Sequence, residues 1–478
     1  MKTSRAFQAA DEGHFDLEAI VAALSGRFAV AAGAKQLVRR ARLDTFDRRL
    51  YAAGLTLEHQ TVASQERLVL SHLDGSSTVA VRATKLRWPA LADVLPAGPV
   101  RDAVAPVAGI RALMVTSDEK RRMRGIELSN EDGKTVARLE LNEPAVGADA
   151  ADSRLTVNTL RGYDKQGRRA MRLLADFGLQ AVRNGSDRGH DKAPPTVGID
   201  REAPASELLT SALDAHRVKM RDNLPGLLDN VDTEFLHDFR VAVRKTRATL
   251  KLGRPCLPET MRSRWEPAFK ELGDLTTPVR DLDVYELDLP TMAGWLVAAD
   301  PADLEPFAAH LRSRRTAKRR ALVRGLKSAK FRKLMTDWEA ELAEGLAQHD
   351  DQKHLSAGQL ADRGIARAYK RVVRGGAAIS TNSPAEDLHS LRKECKELRY
   401  VLEVRAPVLP KAPRKRAVAE LKGLQDVLGR FQDSEVQRRA LHGFAAEQDR
   451  ARREFDGAFA HFVRPSSRRL MQKLGGQS

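Results

Sequence analysis

Leu236-His237-Asp238-Phe239-Arg240-Val241-Ala242-Val243-Arg244-Lys245-Thr246-Arg247 and Leu388-His389-Ser390-Leu391-Arg392-Lys393-Glu394-Cys395-Lys396-Glu397-Leu398-Arg399 are two copies of one pattern. A shift of 152 residues lays His237 on His389, Arg240 on Arg392, Arg244 on Lys396 and Arg247 on Arg399. Without a gap, the same shift lays Leu250, Pro255, Leu257 and Pro258 on Leu402, Pro407, Leu409 and Pro410. Farther on it lays Leu272, Asp274 and Asp281 on Leu424, Asp426 and Asp433. Solenoid repeats are far shorter than this period. The duplication predicts two homologous helical halves packed against each other.

On a helix, residues spaced i, i+3, i+7, i+10 and i+14 share a face. That spacing selects Leu236, Phe239, Val243, Thr246 and Leu250 in one copy and Leu388, Leu391, Cys395, Leu398 and Leu402 in the other, which predicts the buried face. One residue later it selects His237, Arg240, Arg244, Arg247 and Lys251, and then His389, Arg392, Lys396, Arg399 and Glu403. A basic row thus runs beside the apolar one over about 21 Å. A solvated face is the alternative reading, but such faces interleave both signs, and this row holds no acid before Glu403. Adjacent guanidinium groups repel, and a bound polyanion relieves the repulsion. No His-x-x-x-His spacing or carboxylate cluster accompanies His237 or His389, so phosphate contact is expected of them rather than metal binding. Arg314 and Lys318, an i, i+4 pair on a third basic helix, either join this row or form an exposed cationic face.

Composition agrees. The 478 residues carry 81 Lys and Arg against 64 Asp and Glu, a net +17 that favours a polyanionic partner. About +12 of it falls after residue 204, where Leu, Ala, Arg, Lys and Glu dominate. With only two cysteines, a disulfide framework and a cysteine-based zinc site are excluded, and a reducing, cytoplasmic location is expected. No apolar run reaches the length of a membrane span and the N-terminus lacks a secretory pattern, so no membrane association is expected. Aromatic residues are 5% of the chain, too few for a base-stacking platform. No helix-turn-helix or zinc-finger signature appears, so nucleic acid is at most a non-specific partner.

Residues 1–185 have a different texture. The runs 67–73 and 77–83 flank Asp74-Gly75, and 125–129 and 135–141 flank Glu131-Asp132-Gly133-Lys134, as β-hairpins would. Residues 186–204, with Pro194-Pro195 and Pro204, read as a linker. The expected chain is therefore multidomain α+β: a β-rich domain at 1–185, then an all-α domain at 205–478 with halves at about 205–345 and 355–478.

The paired His/Arg segments, with Leu424-Gln425-Asp426-Val427-Leu428-Gly429 and Asp433, closely resemble the signature of the CHAD family, the conserved histidine α-helical domain. The resemblance covers about residues 205–478. It implies two pseudo-symmetric four-helix bundles around a basic pore, with inorganic polyphosphate as ligand and no cofactor. Polyphosphate granules are the implied place of action. By residue-for-residue match the pore is lined by His237, Arg240, Arg244, Arg247, Lys251, His389, Arg392, Lys396 and Arg399, with Glu403 departing from the basic pattern. Arg314 and Lys318 are further candidates.

Leu43-Asp44-Thr45-Phe46-Asp47, followed by Gly54-Leu55-Thr56-Leu57, resembles the CYTH superfamily, whose fold is a triphosphate tunnel. The resemblance implies a tunnel- or barrel-like N-terminal domain. Catalytic members open with Glu-x-Glu-x-Lys, which holds a divalent metal and phosphate. This chain opens Lys2-Thr3-Ser4-Arg5-Ala6, so a degenerate, non-catalytic domain is expected, with no metal and no catalytic residues. A metal-dependent triphosphatase is the alternative, and a nucleic-acid-binding protein a weaker one. Arg39, Arg82, Lys85, Arg122 and Arg138 are read as phosphate contacts or as surface charges.

Overall fold

Period-two alternation builds one sheet from the first part of the chain. In the computed structural model, which describes residues 4–9, 15–73, 78–145, 153–182, 198–294, 301–344, 355–380, 382–429 and 442–450, its strands are β1 (Ser4–Gln8), β2 (Ala29–Ala32), β3 (Gln36–Thr45), β4 (Leu55–Val62), β5 (Gln65–His72), β6 (Thr78–Ala83), β7 (Leu113–Ser129), β8 (Thr135–Pro144), β9 (Arg154–Thr159) and β10 (Gln180–Ala181). All pairings are antiparallel, in the order β10-β1-β9-β8-β7-β3-β4-β5-β6, with β2 also on β7. The β7–β8 hairpin turns at Gly133, whose φ of 74° suits glycine. The turn expected at Asp74-Gly75 lies outside the described residues.

Alternation leaves this sheet with one apolar and one polar face. Helices α1 (Leu17–Ser25) and α4 (Asp164–Asp176) seal the apolar face at one end, placing Ile20, Leu24, Met171 and Leu174 on Phe7, Leu139, Leu141, Leu155 and Val157. Helices α2 (Arg49–Ala52) and α3 (Pro99–Ala108) seal the other, over Leu43, Leu57, Leu68 and Leu70. Each such side chain contributes about 1.5–3 kcal/mol of burial.

The chain divides into two compact units, residues 1–194 with 229–234 and residues 195–228 with 235–478. The described residues of the second unit are helical in all their major elements: α5 (Ala205–Asp229), α6 (Thr233–Leu252), α7 (Glu259–Ala293), α8 (Glu305–Leu326), α9 (Ala329–Glu344), α10 (Ala357–Ala377), α11 (Ala385–Val404) and α12 (411–429), with a further helical stretch at 442–450. The architecture is a β-sheet domain followed by an all-α domain. Residues 198–204, read above as linker, pack on the helical unit. Ile199 is buried with Leu208 and Ala357, and the Arg201 guanidinium donates to the Val408 carbonyl and pairs with Asp362 at 2.8 Å.

The 152-residue shift is a spatial relation as well. It carries α5 onto α10, α6 onto α11 and α7 onto α12. Where α5 and α10 begin, the Ala205 N–H donates to the Leu355 carbonyl (3.0 Å), and the Ala357 N–H donates to that of Ala203 (2.8 Å). Ala357 is the counterpart of Ala205, and Leu355 that of Ala203. Residue i therefore meets j′ while j meets i′, the mark of a local two-fold axis.

The predicted apolar faces form the two cores. Leu236, Phe239, Val243, Thr246 and Leu250 are buried, in a half that includes Trp265, Phe269 and Trp338, with ring centroids 4.8–6.2 Å apart. Leu391, Cys395, Leu398 and Leu402 pack with Ala368, Leu421 and Leu428, and Leu388 lies at the margin. Among the described residues, no helix is long and apolar enough to cross a membrane.

Candidate functional site

Burying the apolar face of α6 fixes the direction of the basic row one residue along. The Arg240 Nη1 donates to the Thr276 and Thr277 hydroxyls of α7, at 3.0 and 2.8 Å. Both hydroxyls in turn donate to the Gly273 carbonyl. Burial pushes the Arg240 guanidinium down to about 10, and neighbouring Arg244 pushes the same way, against Asp281. The Arg244 Nε is buried without a hydrogen-bond partner. Arg247 lies against Gly273, where a Cβ would stand 3.3 Å from its Nη1. Neither Arg244 nor Arg247 has an ion pair among the described residues. His237 is half-buried at the start of the row.

The second copy repeats this geometry. Arg392 lies over Gly429 of α12, where a Cβ would stand 2.8 Å from its Nη2, and Gly429 is the counterpart of Thr277. His389, Lys396 and Arg399 are half-buried along α11. The Arg399 guanidinium lies 5.3 Å from the Tyr400 ring centroid, within cation–π range. Asp433 lies outside the described residues.

The two rows meet through two carboxylates, Glu403, which the sequence reading singled out, and Glu397, which it missed. The Lys245 Nζ pairs with Glu403 at 2.6 Å, and the Lys251 Nζ with Glu397 at 3.4 Å. Lys245 is the counterpart of Glu397, and Lys251 that of Glu403, so these bridges are also reciprocal about the local two-fold. Glu403 also faces Arg399 at 3.8 Å, and Glu397 holds Arg371 at 2.6 Å. The row is thus free of acids along one helix but not in space. Opposition between helices is invisible to periodicity within each one.

Arg314 and Lys318 lie on the exposed face of α8. Their neighbours turn inward instead: Arg315 pairs with buried Asp283 of α7 at 2.6 Å, and Arg319 donates to the Leu227 and Leu228 carbonyls at the end of α5. Of the two readings left open for Arg314 and Lys318, their exposure is that of the cationic face, and periodicity could not choose between them because α8 carries cations all round its surface.

In the first unit the polar sheet face lines a concavity of about 1260 Å³, whose walls include Arg67, Arg82, Arg138 and Glu140. Behind them Arg40 pairs with Glu58 (Nε to Oε2 3.0 Å), Gln60 donates to Glu58, and Arg67 donates to Gln60. Burial opposes the ionised Glu58, but Arg40 and Gln60 outweigh it and hold the carboxyl low. Burial pushes Glu140 up. Of the five cations read from sequence, Arg82 and Arg138 line this cavity. Arg39 instead pairs with Asp118 on the exposed side, and Arg122 and Lys85 are exposed. Arg40 and Arg67 were missed, although strand parity within β3–β6 would have found them. To this face β1 contributes Ser4 and Ala6, which pair with Asn158 and Thr156. Among the described residues no group of three His, Cys, Asp or Glu is arranged to hold a metal ion.

A repeated His/Arg helix inside a two-fold all-α unit defines a class, and the family comparison agrees: residues 211–442 match the CHAD domain model. Residues 211–442 of the chain are a CHAD domain, and a β-rich domain precedes it. No curated protein matches it. Among solved structures, the CHAD domain from the plant Ricinus communis is 23% identical, spanning 59% of this chain and 95% of that one, with a TM-score of 0.46. A proposed adenylate cyclase from Vibrio parahaemolyticus is 12% identical over 40% of this chain and 94% of its own, with a TM-score of 0.25. A proposed adenylyl cyclase from Hippeastrum, described as having a dominant triphosphatase activity, is 13% identical over 39% and 93%, with a TM-score of 0.27.

Proposed function

We propose that the helical unit binds inorganic polyphosphate along the α6 and α11 rows and so associates with polyphosphate granules. One observation carries the reading: Arg240, Arg244 and Arg247 follow one another on a half-buried helix face, no carboxylate among the described residues pairs with the last two, and the buried Arg244 Nε–H has no acceptor among them. Such a row is costly when empty, and phosphate oxygens supply both the charge and the acceptors, with guanidinium forks fixing their geometry. Arg392, Lys396 and Arg399, with His237 and His389 as further donors, extend the track. Reversal of Arg240 and Arg247 to Glu, or of Arg392 and Arg399, is expected to lower polyphosphate affinity by orders of magnitude, whereas reversal of exposed Arg314 and Lys318 lowers it little. Log affinity should fall with log salt by about 0.7 per phosphate neutralised, by analogy with single-stranded nucleic acid. Folded row variants that bind like the unmodified protein would refute the site.

For the first unit we propose no hydrolysis, because Glu58 is committed to Arg40 and Gln60. The rival reading, a metal-dependent triphosphatase, draws on the arginine-lined cavity. Phosphate release from tripolyphosphate with magnesium decides between them.

A further inference from the structure

We propose that Glu397 and Glu403 are counter-anions built into the basic track, and that they set a chain-length threshold for its ligand. The inference rests on the polyphosphate reading. Each carboxylate holds one row cation and one flanking cation: Glu397 holds Lys251 and Arg371, and Glu403 holds Arg399 and Lys245. The two acids occupy equivalent ends of the α6–α11 contact because Glu397 is the counterpart of Lys245 and Glu403 that of Lys251. Their side chains retain 19% and 24% exposure, so an incoming anion reaches them.

A short phosphate that displaces either acid exchanges one anion for another. The carboxylate is tethered at high local concentration and returns readily. A long chain differs, because phosphates already seated on Arg240, Arg244 and Arg247 deliver the next ones to Lys251 and Arg399 at comparable effective concentration. Multivalency overcomes the internal acids where a short anion does not. The two acids thereby discriminate against short anions without contacting a bound chain themselves.

The test uses the full chain and two probes, tripolyphosphate and long-chain polyphosphate, titrated calorimetrically. In Glu397→Gln/Glu403→Gln, tripolyphosphate should bind about tenfold tighter and long chains only slightly tighter, contracting the ratio of affinities. Each single variant should move the ratio the same way, which keeps the test valid if the double variant folds poorly. Glu259→Gln/Glu271→Gln removes equal charge from α7, where the two acids pair with Arg262 and Lys330 outside the rows, and should leave the ratio unchanged. A ratio unmoved in the row variants, or moved equally by the α7 control, overturns the inference while polyphosphate binding stands. Failure of the unmodified protein to bind either probe overturns both.

Discussion

His216 of α5 shows what burial, with positive charge beside it, does to a single side chain. Burial holds its imidazole down to about 3, and Lys245 and Lys219 push the same way. Its Nε2 is buried without a hydrogen-bond partner. The unfolded value is about 6.5, so between these limits the unfolded chain binds a proton that the folded chain refuses. Stability is therefore lost as pH falls from about 6.5 towards 3, at up to about 1.4 kcal/mol per pH unit. Melting temperature measured against pH should fall less steeply in this window for His216→Asn than for the unmodified protein. Equal slopes would show that His216 already accepts a proton in the folded chain.

At the scale of elements, close approach decides the meaning of a residue that looks neutral in sequence. Gly226 lies inside α5, where Ala would ordinarily gain about 1 kcal/mol. A Cβ there would stand 2.5 Å from the ring of Phe235, which is 1% exposed and has nowhere to retreat. Gly226→Ala is thus expected to destabilise by about 1–3 kcal/mol in denaturant titration. Gly423 of α12 has nothing within 4 Å of its Cβ position, so Gly423→Ala should stabilise by about 0.4–1 kcal/mol. The β4–β5 hairpin teaches the same lesson. It turns on Ala63 and Ser64, with φ of 46° and 68°, where no glycine or asparagine advertises a turn.

Over the helical unit, the local two-fold gives the pairing of its halves a charge code. The two-fold sets position 245 of one half against the counterpart of position 251 in the other, and position 251 against the counterpart of 245. Here one copy supplies Lys245 and Lys251, and the other supplies Glu397 and Glu403. Opposed charges favour pairing of unlike halves over like ones, a discrimination that needs repulsion in the alternatives. Lys245→Glu/Lys251→Glu should lower stability by about 1 kcal/mol or more, since each bridge contributes up to about 1 kcal/mol and is replaced by repulsion. Adding Glu397→Lys/Glu403→Lys should restore most of that loss in the same melting experiment. Absence of rescue would mean that the bridges are incidental to the pairing of the halves.

The sequence alone determined whatever repeats along the chain. Leu236 to Leu250 and Leu388 to Leu402 recur at helical spacing, which declared the two buried faces, the duplicated halves and the basic rows beside them. Register in β7–β8 was legible because Gly133 and the alternation after it are local signals. Tertiary structure decided what depends on which elements oppose each other. Glu397 meets Lys251 across two helices, and Arg40, rather than Arg39, shares the sheet face of Arg67 and Arg82, which line the cavity. Arg315 and Arg319, rather than Arg314 and Lys318, turn towards their neighbours. Periodicity fixes a residue's angle about its own axis. Only packing fixes which neighbour lies at that angle, and the electrostatics of this site are set by that neighbour.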